Sequence, residues 1–119
     1  LWRRIVYNYK AKYISNYDGD TVRLNIDLGF EIWLNNQSVR LCGIDCPEMR
    51  GETKVKGQLA KDFVSMVLSS AKEIKITTYK DTKEKYGRWL VDVEYSDGAN
   101  WTNLNKELVD LGHAVRRDY

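Results

Sequence analysis

Apolar side chains recur at every second residue along most of this chain, and that period admits few folds. Ile5, Tyr7, Tyr9, Ala11 and Tyr13 share one face over residues 3–15, as in a half-buried strand. Val22, Leu24 and Ile26 repeat the pattern over 21–26. Further strands are expected over 38–44, from Ile74 to Tyr79, and over 86–95, with an apolar run at 30–34. Between them lie turn signals: Tyr17-Asp18-Gly19-Asp20, where Asp-Gly takes positive φ readily, then Asp27-Leu28-Gly29, Asn35-Asn36-Gln37, the charged run 80–85, and Ser96-Asp97-Gly98.

The period changes once in a long segment. Ala60, Phe63, Val64, Val67, Leu68 and Ala71 sit at i, i+3, i+4 spacing, which predicts an amphipathic helix over 58–71 whose stripe packs on the core. The stretch 101–104 reads as irregular. A short helix follows, with Asn105 as N-cap, Leu108 and Leu111 on its inner face, and Gly112 as its stop. Short connections between period-2 strands predict an α+β, mainly β fold: a five-stranded Greek-key barrel of the oligonucleotide-binding (OB-fold) type with two or three packed helices.

At 119 residues the chain is expected to be one domain, 1–119, large enough to fold without disulfide staples. The net charge is only +2, so a polyanion-binding surface must be local; Lys54, Lys56, Lys61, Lys80, Lys83 and Lys85 are available for it, although single lysines ordinarily just solvate a surface. No apolar run approaches the roughly 20 residues of a membrane span, so no membrane partner is expected. No secretory leader is legible. The chain starts at Leu1 rather than Met, an upstream segment is therefore expected, and secretion stays open. Cys42 and Cys46 in an extended segment would be about 13 Å apart, too far for a disulfide, so two free thiols are expected. With only these cysteines and His113, a four-ligand zinc site is disfavoured.

The stretch Arg40-Leu41-Cys42-Gly43-Ile44-Asp45-Cys46-Pro47-Glu48 opens on a cation, runs apolar, and ends on two carboxylates around a proline that cannot continue a ladder. Asp18-Gly19-Asp20-Thr21 adds carboxylates at a tight turn, and Lys85-Tyr86-Gly87-Arg88 adds a second arginine. Carboxylates suit a hard cation, and the planar fork of arginine suits phosphate. Each group also has a plainer role: Asp18 and Asp20 as turn formers, Arg40 as a cross-strand partner, 85–88 as a solvated hairpin, His113 as an exposed residue at a helix end. Strict alternation would put Arg40 and Asp45 on opposite faces, so a kink near Gly43, or a strand that ends, is required if they cooperate.

Together and in this order, the three stretches resemble the signature segments of the staphylococcal (micrococcal, thermonuclease) nuclease family. The ending Asp97-Gly98, Leu104-Asn105, Leu108-Val109 and Gly112 is similar too, so the resemblance runs from about Tyr9 to Gly112. It implies a Ca²⁺-dependent nuclease of low sequence specificity, acting on DNA and RNA, single-stranded by preference, and leaving a 3′-phosphate. Asp20 and Asp45 would bind the metal through carboxylates and Cys46, where threonine is common, through its backbone carbonyl. Glu48 would serve as general base on the attacking water or order that water, Arg40 and Arg88 would grip the phosphate, and Lys85 and Tyr86 would contact the nucleotide. A monomer is expected. The prototype has a shorter segment between the positions of Asp20 and Arg40, a longer loop after that of Glu48, and a final helix beyond that of Tyr119; Arg116, Arg117 and Tyr119 are the substrate-contact candidates near this end. The other readings are a nucleic-acid-binding module that does not cut, and a regulatory domain that binds protein.

Overall fold

The computed structural model describes residues 6–83 and 85–117, with the side chains of 80–82 left aside. Strands β1 (Val6–Asn16), β2 (Thr21–Asp27) and β3 (Trp33–Leu41) form an antiparallel meander, followed by the short β4 (Ile44–Asp45). A 3₁₀ turn at Gly51–Thr53 leads into α1 (Lys54–Ser70). The chain then returns through β5 (Glu73–Lys83), β6 (Trp89–Ser96) and β7 (Trp101–Asn103), enters α2 (Leu104–Asp110), and adds β8 (Val115–Arg116) antiparallel to β4.

The sheet order is β3-β2-β1-β5-β6-β7, and a short parallel pairing of Val39–Leu41 with Trp89–Val91 brings β3 back to β6. Five strands thus close on themselves as a Greek-key ring through a short seam whose ladder pairs three residues on each side, which is the partly open OB-type architecture. Two helices pack on it. The period-2 residues do what their pattern requires: Val22, Leu24, Ile26, Val39, Leu41, Ile74, Ile76, Val91 and Val93 point inward and are buried, joined by Ala60, Val64 and Leu68 of α1 and Leu104 and Leu108 of α2.

Several local expectations are corrected. Asn35-Asn36-Gln37 is not a turn. It lies within β3 at a bulge, with Asn36 at φ 53°, a conformation asparagine tolerates. The Asn36 amide donates to Asn25 Oδ1 (2.8 Å), and Arg23 Nη1 donates to Asn36 O and Oδ1, so turn-forming residues pin a bulge instead. The reversal falls at 28–32, so an extended β2–β3 hairpin takes up the long Asp20–Arg40 spacing. Helix α1 starts at Lys54 rather than Gln58; its first turn buries only Gly57, which has no side chain to reveal a period. Strand β5 runs through the charged segment to Lys83, so β6 begins at Trp89 rather than Tyr86. Residues 101–103 are a strand that pairs with β6. The N-cap of α2 is Asn103, whose side chain accepts from the Lys106 amide, and Leu111 is exposed. Gly112 does stop α2: at φ +80° it lets the His113 amide reach Leu108 O and its own amide reach Val109 O, a Schellman closure. Tyr119 and residues 3–5 lie outside the described residues. No described helix is long and apolar enough to cross a membrane.

Candidate active site

The Asp18-Gly19-Asp20 turn, the β3–β4 segment and the start of β6 meet where the ring closes. Asp18 organises the turn: its Oδ1 accepts from the amides of Asp20 (3.1 Å) and Thr21 (2.9 Å). Asn16 ties the turn to α1 by donating to Asp18 O and Lys61 O. Glycine and alanine then permit close approach. A Cβ on Gly19 would stand 2.8 Å from Cys46 Sγ and 2.9 Å from Ala60 Cβ, and one on Gly57 would stand 2.6 Å from Glu48 O. The turn, the Asp45–Glu48 segment and the first turns of α1 are therefore pressed together at positions where no side chain fits.

This packing delivers Asp20, Arg40 and Asp45 to one point. Arg40 Nη2 lies 3.3 Å from Asp20 Oδ2 and 3.2 Å from Asp45 Oδ1, while its Nη1 donates to Leu41 O. The odd spacing of Arg40 and Asp45 is resolved as required: β3 ends at Leu41, Gly43 takes φ +77°, and the chain turns before β4. The Cys46 amide donates to Asp20 Oδ2 (2.8 Å), and Arg117 on the far side pairs with Asp45 Oδ2 (2.9 Å). Arg88 joins through Thr21, to whose hydroxyl it donates (2.9 Å), with its guanidinium 5.5 Å from the Tyr86 ring centre. Lys85 Nζ lies 5.0 Å from the same ring, and Tyr86 is exposed.

Glu48 is not brought into this cluster. Its carboxylate is 72% exposed and pairs with Arg50 (3.3 Å), while Thr53 fixes its backbone by donating to Glu48 O (2.7 Å). His113 stacks on Phe63 and has no place in the site.

Burial pushes the Asp20 carboxyl up from 3.8 to about 7, with the neighbouring Asp18 adding to the effect and the Cys46 amide and Arg40 opposing it. Burial therefore outweighs the two groups that favour its charged form. Both cysteines are free, and burial pushes the Cys46 thiol up strongly, so it packs as an apolar group against Gly19. Among the described residues, no three His, Cys, Asp or Glu side chains converge as a complete metal cage. Two carboxylates do converge, on a single Arg40 nitrogen, with backbone nearby. That donor set is all hard oxygen, which fits Ca²⁺ or Mg²⁺ completed by carbonyls, water or substrate, and does not fit zinc.

Thr21, Arg117, Gly19 and Gly57 are the participants that residue spacing did not single out for these roles. Arg117, a substrate-contact candidate, pairs with Asp45, 72 residues away in sequence.

Residues 38–119 match the family described as staphylococcal nuclease homologue. The "Uncharacterized protein MJ1439" of Methanocaldococcus jannaschii is 28% identical over 90% of this chain and 58% of its own length. "Endonuclease YhcR" of Bacillus subtilis is 30% identical over 82% of this chain but only 8% of its own length. The chain thus spans little more than half of one relative and a small part of the other. The matched stretch holds Arg40, Asp45, Cys46, Glu48, Lys85, Tyr86 and Arg88, and on this ground the chain belongs to the staphylococcal nuclease homologue family.

Proposed function

We propose that this chain is a calcium-dependent nuclease that hydrolyses phosphodiester bonds in DNA and RNA with low sequence preference, acting on unpaired strands. The observation that carries the reading is the convergence of Asp20, Arg40 and Asp45, with Arg88 anchored beside them on Thr21. Asp20, Asp45 and the Cys46 carbonyl would hold the metal; when bound, Ca²⁺ supplies Lewis acidity toward the phosphoryl group and the attacking water. Arg40 and Arg88 hold the phosphate and offset the charge that grows on its oxygens. Glu48, solvent-facing and two residues beyond Cys46, takes a proton from the water that attacks in line; the P–O5′ bond breaks, the departing 5′ oxygen takes a proton from solvent to leave as the 5′-hydroxyl, and a 3′-phosphate remains. Lys85 meets the nucleotide phosphate, and the exposed ring of Tyr86 takes an unpaired base.

A second reading is a module that binds nucleic acid without cutting it. It is favoured by the pairing of Glu48 with Arg50, away from the cluster. Cleavage of labelled single-stranded DNA and RNA by the wild type, Asp20→Asn and Asp45→Asn, in Ca²⁺ and in chelator, separates the two. The nuclease reading expects cutting by the wild type in Ca²⁺ alone and a loss of about 10²-fold or more in each variant. Binding without cutting, with any divalent cation, would support the module.

A further inference from the structure

On the outer face of β1–β3, directly beside the cluster, lies a shallow cavity of about 300 Å³ lined by Ser15, Asn16, Tyr17, Thr21, Arg23 and Ser38. Resting on the nuclease reading, we propose that it is a second nucleotide subsite, in which Arg23 takes the neighbouring phosphate of a single-stranded nucleic acid and Tyr17 stacks on its base.

The strand register sets the placement. Arg23 stands between Ser15 of β1 and Ser38 of β3, so these three side chains form one row. The next row on the same face pairs Thr21 with Arg40. Two residues along a strand are about 7 Å, so Arg23 follows the phosphate-gripping row by a distance that one extended nucleotide can span. Thr21 belongs to both places, lining the cavity and accepting from Arg88.

The chemistry matches an anionic chain. Arg23 is held by Asn36 O and Oδ1 through Nη1 alone, and among the described residues no carboxylate pairs with it. Tyr17 is 75% exposed although its amide, bonded to Thr21 O, fixes its backbone. A rigidly based aromatic ring next to a cation is the usual platform for an unpaired base and its phosphate. Asn16 acts only as wall, since its side chain is spent on Tyr13, Asp18 and Lys61. Ser15 and Ser38 supply neutral hydroxyls suited to sugar or phosphate oxygens.

The test measures binding of a fluorescent single-stranded oligonucleotide in chelator, by anisotropy across a salt series. It compares the wild type with Arg23→Gln, Arg23→Lys, Tyr17→Ala and Lys106→Gln, with cleavage in Ca²⁺ followed in parallel. Arg23→Gln should weaken binding and lower the log–log salt slope by about 0.7, one phosphate's share for a single strand. Arg23→Lys should restore that slope. Tyr17→Ala should weaken binding about tenfold. Lys106→Gln removes a charge outside the cavity and should match the wild type. The subsite is overturned if the wild type does not bind, if Arg23→Gln and Tyr17→Ala bind like the wild type, or if Lys106→Gln weakens binding as much as Arg23→Gln. Arg23-dependent binding without cleavage would instead overturn the nuclease reading and leave the subsite standing.

Discussion

Replacing Gly57 with alanine should destabilise this protein, although the same change in an exposed helix normally stabilises. Alanine in place of glycine inside a helix is worth about 0.5–1 kcal/mol through backbone entropy. At Gly57, however, the added methyl would stand 2.6 Å from Glu48 O, 2.7 Å from Glu48 C and 2.8 Å from Pro47 O. All three are backbone atoms, so no side chain can rotate away. Overpacking of this kind costs about 1–3 kcal/mol, and contact this short against fixed backbone belongs at the upper end, about 2–3 kcal/mol, leaving a net loss of about 1–2 kcal/mol after the helix gain. For a chain of this size that corresponds to a fall in Tm of roughly 4–10 °C. The displaced segment carries Glu48 and adjoins Cys46 and Asp45. Cleavage by the folded variant should therefore fall about 10-fold or more, because small misplacements of reacting groups are costly. Urea unfolding and cleavage measured on the same preparation read both effects. A variant that is more stable than the wild type, or that loses stability but no activity, would refute the claim that Gly57 locks the Glu48 backbone.

Other outcomes follow from the same geometry. With its carboxyl raised from 3.8 to about 7, Asp20 binds a proton more tightly folded than unfolded, so its favourable contribution is full below about pH 4 and is lost as pH rises through 7. In chelator, urea midpoints should show the wild type losing about 3 kcal/mol relative to Asp20→Asn between pH 5 and 8; parallel curves would contradict this. Asn105 is buried and donates to Cys42 O, Val91 O and Asp92 Oδ1 while accepting from the Val93 amide, so Asn105→Ala should cost about 2–4 kcal/mol in urea unfolding through stranded polar groups. A thiol reagent at pH 8 should leave Cys46 unmodified in the native protein and label it only after unfolding, since burial holds its thiol protonated and covered.

What was legible in the sequence is what is local. The alternation through Val22, Leu24 and Ile26 and the stripe Ala60-Val64-Leu68 are set by burial on one face, and both are buried as the pattern requires. The three charged stretches were legible for the same reason, each being a contiguous segment. Illegible were features decided by tertiary geometry. Asn36 carries a turn-former's preference, yet the β2–β3 ladder converts it into a bulge pinned by Arg23 and Asn25. Asn105 looks like a helix cap, yet its amide is drawn inward, accepting from the Val93 amide of β6 and donating to Cys42 O near the seam. Gly57 falls outside the helix that periodicity predicts over 58–71 because a missing side chain carries no period. The Thr21–Arg88 and Asp45–Arg117 contacts join residues 67 and 72 positions apart, which no spacing rule anticipates.

The central claim is that one cluster of carboxylates and arginines, served by Glu48, cuts nucleic acid. Its most direct test is cleavage of labelled single-stranded DNA in Ca²⁺ by the wild type and Glu48→Gln, with binding measured in chelator. The Glu48 side chain is exposed, so the variant should fold within about 0.5 kcal/mol of the wild type. The account predicts equal binding and a cleavage rate lower by about 10²-fold or more, the usual contribution of a general base. Cleavage by Glu48→Gln at the wild-type rate would contradict it.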